Sequence, residues 1–124
     1  MMMPDIRARY EEVKDLGFEV CEHLLKEMDK LGLKRDMINP RLERAAFELS
    51  RDPASGEYTL IGVWRNKDGH KQGQILFHAD GSFFAEYDVV CEHPNKQQWF
   101  VEAVTAWGNN GLIKSESRLM PIPA

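Results

Sequence analysis

The chain has 124 residues, 43% of them hydrophobic and 29% charged, and its 20 acidic and 16 basic side chains leave a net charge of −4. A chain of this length buries a core without metal or disulfide support, so we interpret residues 1–124 as a single domain. The mild negative charge argues against nucleic-acid binding, which needs a concentrated surface of lysine and arginine. No segment approaches the roughly 20 apolar residues that span a bilayer, so no membrane partner is predicted. Residues 1–5 lack the basic and apolar parts of a secretory leader, and a cytoplasmic location is expected.

The first predicted element is a long amphipathic helix. Asp5 is a candidate N-cap, and Gly32 is placed to end the helix. Between them, apolar or small residues recur at steps of three and four: Ile6, Tyr10, Val13, Gly17, Val20, Leu24, Met28 and Leu31. At 1.5 Å per residue the helix would be about 40 Å long. Because that exceeds what a sheet of short strands needs, we expect one end to pack on another helix or a second copy, or to stand free.

Two cysteines, Cys21 and Cys91, lie in apolar stripes and are predicted to be buried and reduced. Each belongs to a Val-Cys-Glu-His tetrapeptide, which suggests a zinc site. Geometry argues against that site, because Cys21 and His23 would lie about 200° apart around a helix axis. The spacing also matches no standard zinc motif, so neither a metal nor a cofactor is predicted.

Residues 33–44 are predicted to form a linker, and residues 45–50 the first strand of an antiparallel meander. The loops Lys67-Asp68-Gly69 and Ala79-Asp80-Gly81 share one design, a type I turn closed by a left-handed glycine. The second loop pairs Phe77 with Phe83 and Ile75 with Ala85. The first pairs Ile61 with Ile75 and Val63 with Gly73. A looser loop over 52–56 pairs Phe47 with Ile61 and Leu49 with Thr59. These registers gather one core face: Phe47, Leu49, Ile61, Val63, Ile75, Phe77, Phe83, Tyr87 and Val89.

A second helix is predicted over 95–107, with an apolar arc containing Trp99, Val104 and Trp107 and a stop at Gly108. Asn109-Asn110-Gly111 would then turn the chain into an edge strand over 112–119. The predicted fold class is α+β, in the order α-β-β-β-β-α-β. It has a four-stranded antiparallel meander plus an edge strand, with both helices packed on one face.

The opposite face is too apolar for a solvated surface and too polar for a second core. We predict that it contacts a protein partner or a second copy of the chain, as a homodimer. The alternatives are cover by the chain itself and a small-molecule site. The predicted contact residues share this outer face: Tyr58, Trp64, His78, Phe84, Glu86 and Asp88.

The same face carries the best candidate for catalysis. Glu86 and Asp88 point the same way along one strand, and His78 lies on the next strand, which suggests acid–base chemistry. An open sheet face lacks the burial that would separate their pKa values, so the sequence favours a non-enzymatic interaction domain. A small-molecule-binding domain or minor enzyme that uses these three residues is the alternative.

The run Asp80-Gly81-Ser82-Phe83-Phe84-Ala85-Glu86-Tyr87-Asp88, followed by a predicted helix at Trp99, resembles the YezG-like immunity-protein family. The shared pattern is a glycine turn, an aromatic strand and a Tyr-Asp pair late in a domain that begins with a helix and continues through a meander. The resemblance implies an immunity-type protein that neutralises a nuclease toxin by binding it.

Overall fold

The computed structural model describes residues 5–33, 40–109 and 111–122. Most of the predicted linker and Asn110 of the predicted last turn lie outside these ranges. One long helix, a short 3-10 turn and six strands follow one another along the chain: α1 (Ile6–Lys30), η1 (Leu42–Arg44), β1 (Ala46–Arg51), β2 (Tyr58–Arg65), β3 (Lys71–Phe77), β4 (Ser82–Glu92), β5 (Trp99–Asn109) and β6 (Leu112–Pro121). The α+β class is confirmed.

The six strands form one antiparallel sheet in the order of the sequence, and α1 packs across one of its faces. Near one end of α1, the Tyr10 ring meets Phe47 of β1 with 5.1 Å between ring centroids. Near the other end, the Glu27 carboxylate accepts a hydrogen bond from Ser115 Oγ of β6 at 3.0 Å.

The sheet is roughly 24 Å wide at about 4.8 Å per strand, and the span from Tyr10 to Glu27 is about 26 Å at 1.5 Å per residue, so α1 reaches from one edge strand to the other. Beyond this span, Arg9 Nη2 donates to the His78 carbonyl at 3.1 Å and Leu31 is buried, so both ends of the helix contact the rest of the chain. The expectation of a spare helix end is therefore wrong.

The ends of α1 follow the sequence signals. Asp5 Oδ1 accepts the Arg7 backbone N–H at 2.9 Å, which confirms the N-cap. After Lys30, the Leu33 N–H donates to the Met28 carbonyl at 3.1 Å, in the pattern that closes helices at a following glycine. Over the described residues, no helix combines the length and apolar character needed to cross a membrane.

The predicted second helix is wrong, because its sequence forms β5. The segment is rich in aromatic and β-branched residues, which favour strands. Its residues are half-buried or buried on both sides of the strand from Trp99 to Gly108. A strand with apolar or small side chains on both sides lacks the polar–apolar alternation, so its apolar residues can mimic a helical arc.

Both glycine loops have the predicted conformation. Gly69 and Gly81 have φ values of +82° and +92°, in the left-handed region that glycine enters without steric cost. The second loop also sets the predicted register between β3 and β4, with Phe77 opposite Phe83 and Ile75 opposite Ala85. That part of the core is confirmed.

The predicted register of β2 is wrong by one residue. Arg65 pairs with Lys71, but Trp64 pairs with Gly73, so Gln72 is an extra residue that forms a bulge in β3. A one-residue shift sends every side chain of β2 to the other face. Leu60 and Trp64 therefore lie under α1, and Ile61 lies on the open face.

The loop between β1 and β2 is also longer than predicted. The Asp52 N–H donates to the Glu57 carbonyl at 2.8 Å, and Phe47 consequently pairs with Gly62 instead of Ile61. The one-residue shift between β2 and β3 and the one-residue shift between β1 and β2 cancel each other for the side chains of β1. Phe47 and Leu49 thus keep the predicted core side and pack against the core.

Both thiols are free, Cys21 buried and Cys91 half-buried. Burial is the main cause that raises the pKa of the Cys21 thiol to about 12, helped by the negative charges of Glu43 and Glu22. Burial also raises the pKa of Cys91. Because the thiolate is the reactive form, neither side chain is activated as a nucleophile near neutral pH.

Val90 has a strained backbone, and relieving that strain should stabilise the fold. It lies at the bulge between Asp88 and Cys91, with φ of +47° and 63% of its surface exposed. A β-branched residue is disfavoured at this φ by about 1–2 kcal/mol. Glycine relieves that strain, but it loses more conformational entropy on folding, so only part of the gain remains. We expect Val90→Gly to raise the free energy of unfolding by about 0.5–1 kcal/mol in urea titrations. Val89→Gly, at the neighbouring buried position, should lower it, and equal losses for the two variants would contradict the strain.

Candidate functional site

The face of the sheet opposite α1 carries several large apolar side chains. Among the described residues, α1 and η1 are the elements outside the sheet, and their contacts belong to the core that contains Ile75 and Phe77. No described helix or strand packs on the other side. We call that side the open face.

The strand registers align one residue of every strand in a line across the open face: Glu48, Ile61, Leu76, Phe84, Trp107 and Lys114. The four central members, from Ile61 to Trp107, are large apolar side chains, and all four are half-buried. We call these four the apolar row. Both ends of the line are charged, negative at Glu48 on β1 and positive at Lys114 on β6.

A second line beside the apolar row is mostly polar. It contains Ala46, Val63, Gln74, Glu86, Thr105 and Glu116. Glu86 forms an ion pair with Arg118 Nη1 at 3.2 Å, and both side chains are partly exposed. An exposed pair of this kind contributes little to stability, so its main effect is to place both signs of charge beside the apolar row.

Four of the six predicted contact residues lie on the open face: His78, Phe84, Glu86 and Asp88. The placement of the other two is wrong. Trp64 is 3% exposed beneath α1 and donates its Nε1–H to the Arg41 carbonyl at 2.7 Å. Tyr58 shares the side of β2 that carries Leu60 and is half-buried. Both were displaced by the bulge at Gln72 in the neighbouring strand.

The prediction of contact residues missed Ile61 and Trp107. Ile61 was assigned to the core by the wrong register of β2, and Trp107 was assigned to a helix. The segment from Ala103 to Trp107 contained a usable signal. Two alanines, a valine and a threonine in this segment fill both sides of a strand, whereas a helix of that length would expose a polar side.

The acid–base constellation does not assemble. Glu86 lies opposite Gln74, and His78 follows the end of β3, four residues after Gln74 and roughly 13 Å away at 3.3 Å per residue. The His78 ring instead lies with Nδ1 3.1 Å from Thr59 Oγ1. A polar cleft of about 320 Å³ adjoins His78, but Asp52, Glu57 and Asp80 line it, and Glu86 and Asp88 do not.

The histidines of the two Val-Cys-Glu-His repeats have separate local contacts. His93 Nδ1 accepts the backbone N–H groups of Asn95 and Lys96 at 3.1 and 2.9 Å. His23 Nδ1 lies 3.5 Å from Ser115 Oγ. Within the part of the chain that the structure describes, no three histidine, cysteine or acidic side chains form a group suited to a metal ion.

A further cleft of about 540 Å³ lies where the start of α1 meets η1 and β1. Ile6, Tyr10, Leu42 and Phe47 supply its apolar wall. The side chains of Tyr10 and Phe47 are already paired edge to face. Part of this wall is thus the exposed margin of the core.

Comparisons of the chain with protein-family models, with curated proteins and with solved structures give no match. The resemblance to the YezG-like family therefore stays a prediction.

Proposed function

We propose that this protein is an interaction domain that binds another protein chain through the open face of its sheet. The observation that supports the proposal most is the apolar row. Ile61, Leu76, Phe84 and Trp107 are adjacent on four consecutive strands, and no described element covers them. Proteins rarely leave such a contiguous patch exposed without a use.

The composition of the open face supports this use. An antiparallel sheet that faces water on one side normally places polar residues there. Here the apolar row crosses the centre of the face, Gln74 and Glu86 lie beside it, and the charges of Glu48, Lys114 and Arg118 lie on the edge strands. An apolar centre with a polar rim is the anatomy of protein interfaces.

The open face is also preorganised. The apolar row lies on β2 to β5, and each of these strands is paired on both sides. A partner that docks there needs to order few backbone torsions, so more of the contact energy remains as affinity.

The competing functions fit the geometry less well. Small-molecule or acid–base chemistry needs His78 close to Glu86 and Asp88, and the register of β3 and β4 separates them. An immunity-type inhibitor would be a special case of the proposed function, with a toxin as the partner. The ion pair between Glu86 and Arg118 places a positive charge where a purely acidic surface would be expected.

A photo-crosslinking experiment tests the proposed function. The photoreactive analogue p-benzoylphenylalanine would replace Phe84 in the full chain, and irradiation in the producing cells should give an adduct of defined mass. Phe18, 40% exposed on α1, is a matched aromatic control away from the open face and should give no such adduct. Adding Leu76→Gln to the Phe84 variant should remove the adduct while the circular dichroism spectrum stays unchanged. Absence of any adduct at position 84 would contradict the proposal.

A further inference from the structure

We infer that the partner is a second copy of this chain, packed sheet against sheet about a twofold axis that runs parallel to the strands between β3 and β4. This inference rests on the proposed function and names its partner. Most oligomers are symmetric homo-oligomers, and a twofold interface uses one patch on both subunits. The open face must then be complementary to itself, so that each residue on it meets a compatible residue of the second copy.

The number of strands suits this axis. A six-stranded sheet has its centre between β3 and β4, so the twofold maps β1 onto β6, β2 onto β5 and β3 onto β4. Along the apolar row, Leu76 of one copy then meets Phe84 of the other, and Ile61 meets Trp107. All four large apolar side chains are buried by the same operation.

The charges support the same axis. Glu48 and Lys114 stand at opposite ends of the apolar row, and the twofold brings each against the other. In the second line, Glu86 meets Gln74 of the second copy, whose amide can donate to the carboxylate. No like charges are opposed in either line. Because twisted sheets stack with their strands about 30° apart, this matching is closest near the axis and loosens toward the edge strands.

A twofold axis across the strands suits the residues less well. If it ran along the apolar row, each residue would meet its own copy, which sets Glu48 against Glu48 and Lys114 against Lys114. If it ran midway between the two lines, it would set Phe84 against Glu86 and Leu76 against Gln74, so that each apolar side chain would meet a polar one. Pairing between edge strands is opposed by the charges of Lys114, Glu116 and Arg118 along β6. The axis parallel to the strands is therefore the one that we propose.

The available area is sufficient. Six strands about 4.8 Å apart, with three to five residues of each on the open face, present a face on the order of 500 Å² in projection. The corrugation of interdigitated side chains increases the accessible area that is buried. Each copy can thus approach the roughly 800 Å² per partner of a standard interface.

Charge-swap variants analysed by sedimentation equilibrium test this inference. The wild-type chain should be a dimer at micromolar concentration. Leu76→Lys and Phe84→Glu should each raise the dimer dissociation constant at least about 100-fold, because each variant places two charges opposite apolar side chains. An equimolar mixture of the two should restore a dimer. In that heterodimer the lysine introduced at position 76 of one copy meets the glutamate introduced at position 84 of the other, and the second pair across the axis is the native contact of Phe84 with Leu76.

A mixture of Leu76→Lys with Trp107→Glu is the matched control. Positions 76 and 107 do not face each other about this axis, so this mixture should stay monomeric. A far-ultraviolet circular dichroism spectrum like that of the wild-type chain, together with a cooperative urea transition, shows that each variant is folded. Equal recovery in both mixtures, or dimers that survive both single substitutions, would overturn the inferred axis.

The same variants separate this inference from the proposed function. A monomeric wild-type chain whose position 84 forms an adduct of a mass other than twice the chain would overturn self-association and leave the interaction domain standing. A monomeric chain with no adduct at position 84 would overturn both. An adduct of twice the chain mass, with rescue in the mixture of Leu76→Lys and Phe84→Glu, supports both.

Discussion

Replacing Trp64 with alanine is expected to lower the free energy of unfolding by about 3–5 kcal/mol, which is a large fraction of the roughly 5–15 kcal/mol that stabilises a typical domain. The indole is 3% exposed and packs edge to face on Tyr87, with 5.7 Å between ring centroids. Its Nε1–H donates to the Arg41 carbonyl at 2.7 Å. The substitution therefore removes a large buried ring and leaves a carbonyl group without its donor. Urea titration followed by circular dichroism measures the effect.

Two further variants divide this loss into its parts. Trp64→Phe keeps an aromatic ring but no N–H group, so it should lose about 1–3 kcal/mol. Trp107→Ala removes a tryptophan from the open face and should cost less than about 1 kcal/mol in dilute protein. Its cost should grow with protein concentration if the open face joins two copies, whereas the cost at Trp64 should not. If Trp107→Ala destabilises as much as Trp64→Ala at every concentration, the open face is covered within one chain.

The parts of the fold that sequence reasoning predicted correctly are those determined by neighbouring residues. The helix from Ile6 to Lys30 has its cap, its period and its stop within one segment. The hairpin of β3 and β4 is closed by a three-residue loop whose glycine needs a positive φ. The resulting register buried Ile75 and Phe77 as predicted.

The face of β2 was not predictable from its residue pattern alone. Leu60 and Trp64 alternate with Ile61 and Val63, so both sides of the strand are apolar, and hydrophobic periodicity does not distinguish them. The geometry of the loop at Gly69 would normally determine which side of β2 faces the core. That loop was predicted correctly, but the bulge at Gln72 adds one residue after it and reverses the two sides. Burying the Trp64 indole removes more apolar surface from water than burying the Val63 side chain, which gives a physical reason why the Trp64 side of β2 faces the core.

The prediction of the open face was affected by two errors, the wrong register of β2 and the helix assigned to the segment that forms β5. Its apolar row includes Ile61, which the register error hid, and Trp107, which the helix assignment hid. Phe84 and Glu86 were found because they belong to the hairpin whose loop fixes its own register. Because each loop sets the register of the two strands that it joins, one wrong loop or bulge changes which residues share a face of the sheet.

The bulge has a second consequence, which is the close packing of Trp64 and Tyr87 over Gly73. Gly73 pairs with Trp64 on one side and with Tyr87 on the other. A glycine between two aromatic residues leaves room for their rings to meet above its backbone. A Cβ atom at this position would lie 2.5 Å from the Glu86 carbonyl oxygen and 3.0 Å from Tyr87 Cα.

Gly73→Ala is therefore expected to lower the free energy of unfolding by about 2–3 kcal/mol, although alanine ordinarily restricts the unfolded chain and favours folding. The methyl group would meet backbone atoms of β4, so no side-chain rotation can relieve the contact, and the two strands must separate. Loss of the near-ultraviolet signal that Trp64 and Tyr87 generate should accompany the change in urea titrations. Gln74→Ala, on the same strand but on the open face, should change stability by less than about 0.5 kcal/mol. If Gly73→Ala is as stable as this control, β3 and β4 do not approach each other as closely as the structure requires, and the register of the apolar row would have to be revised with them.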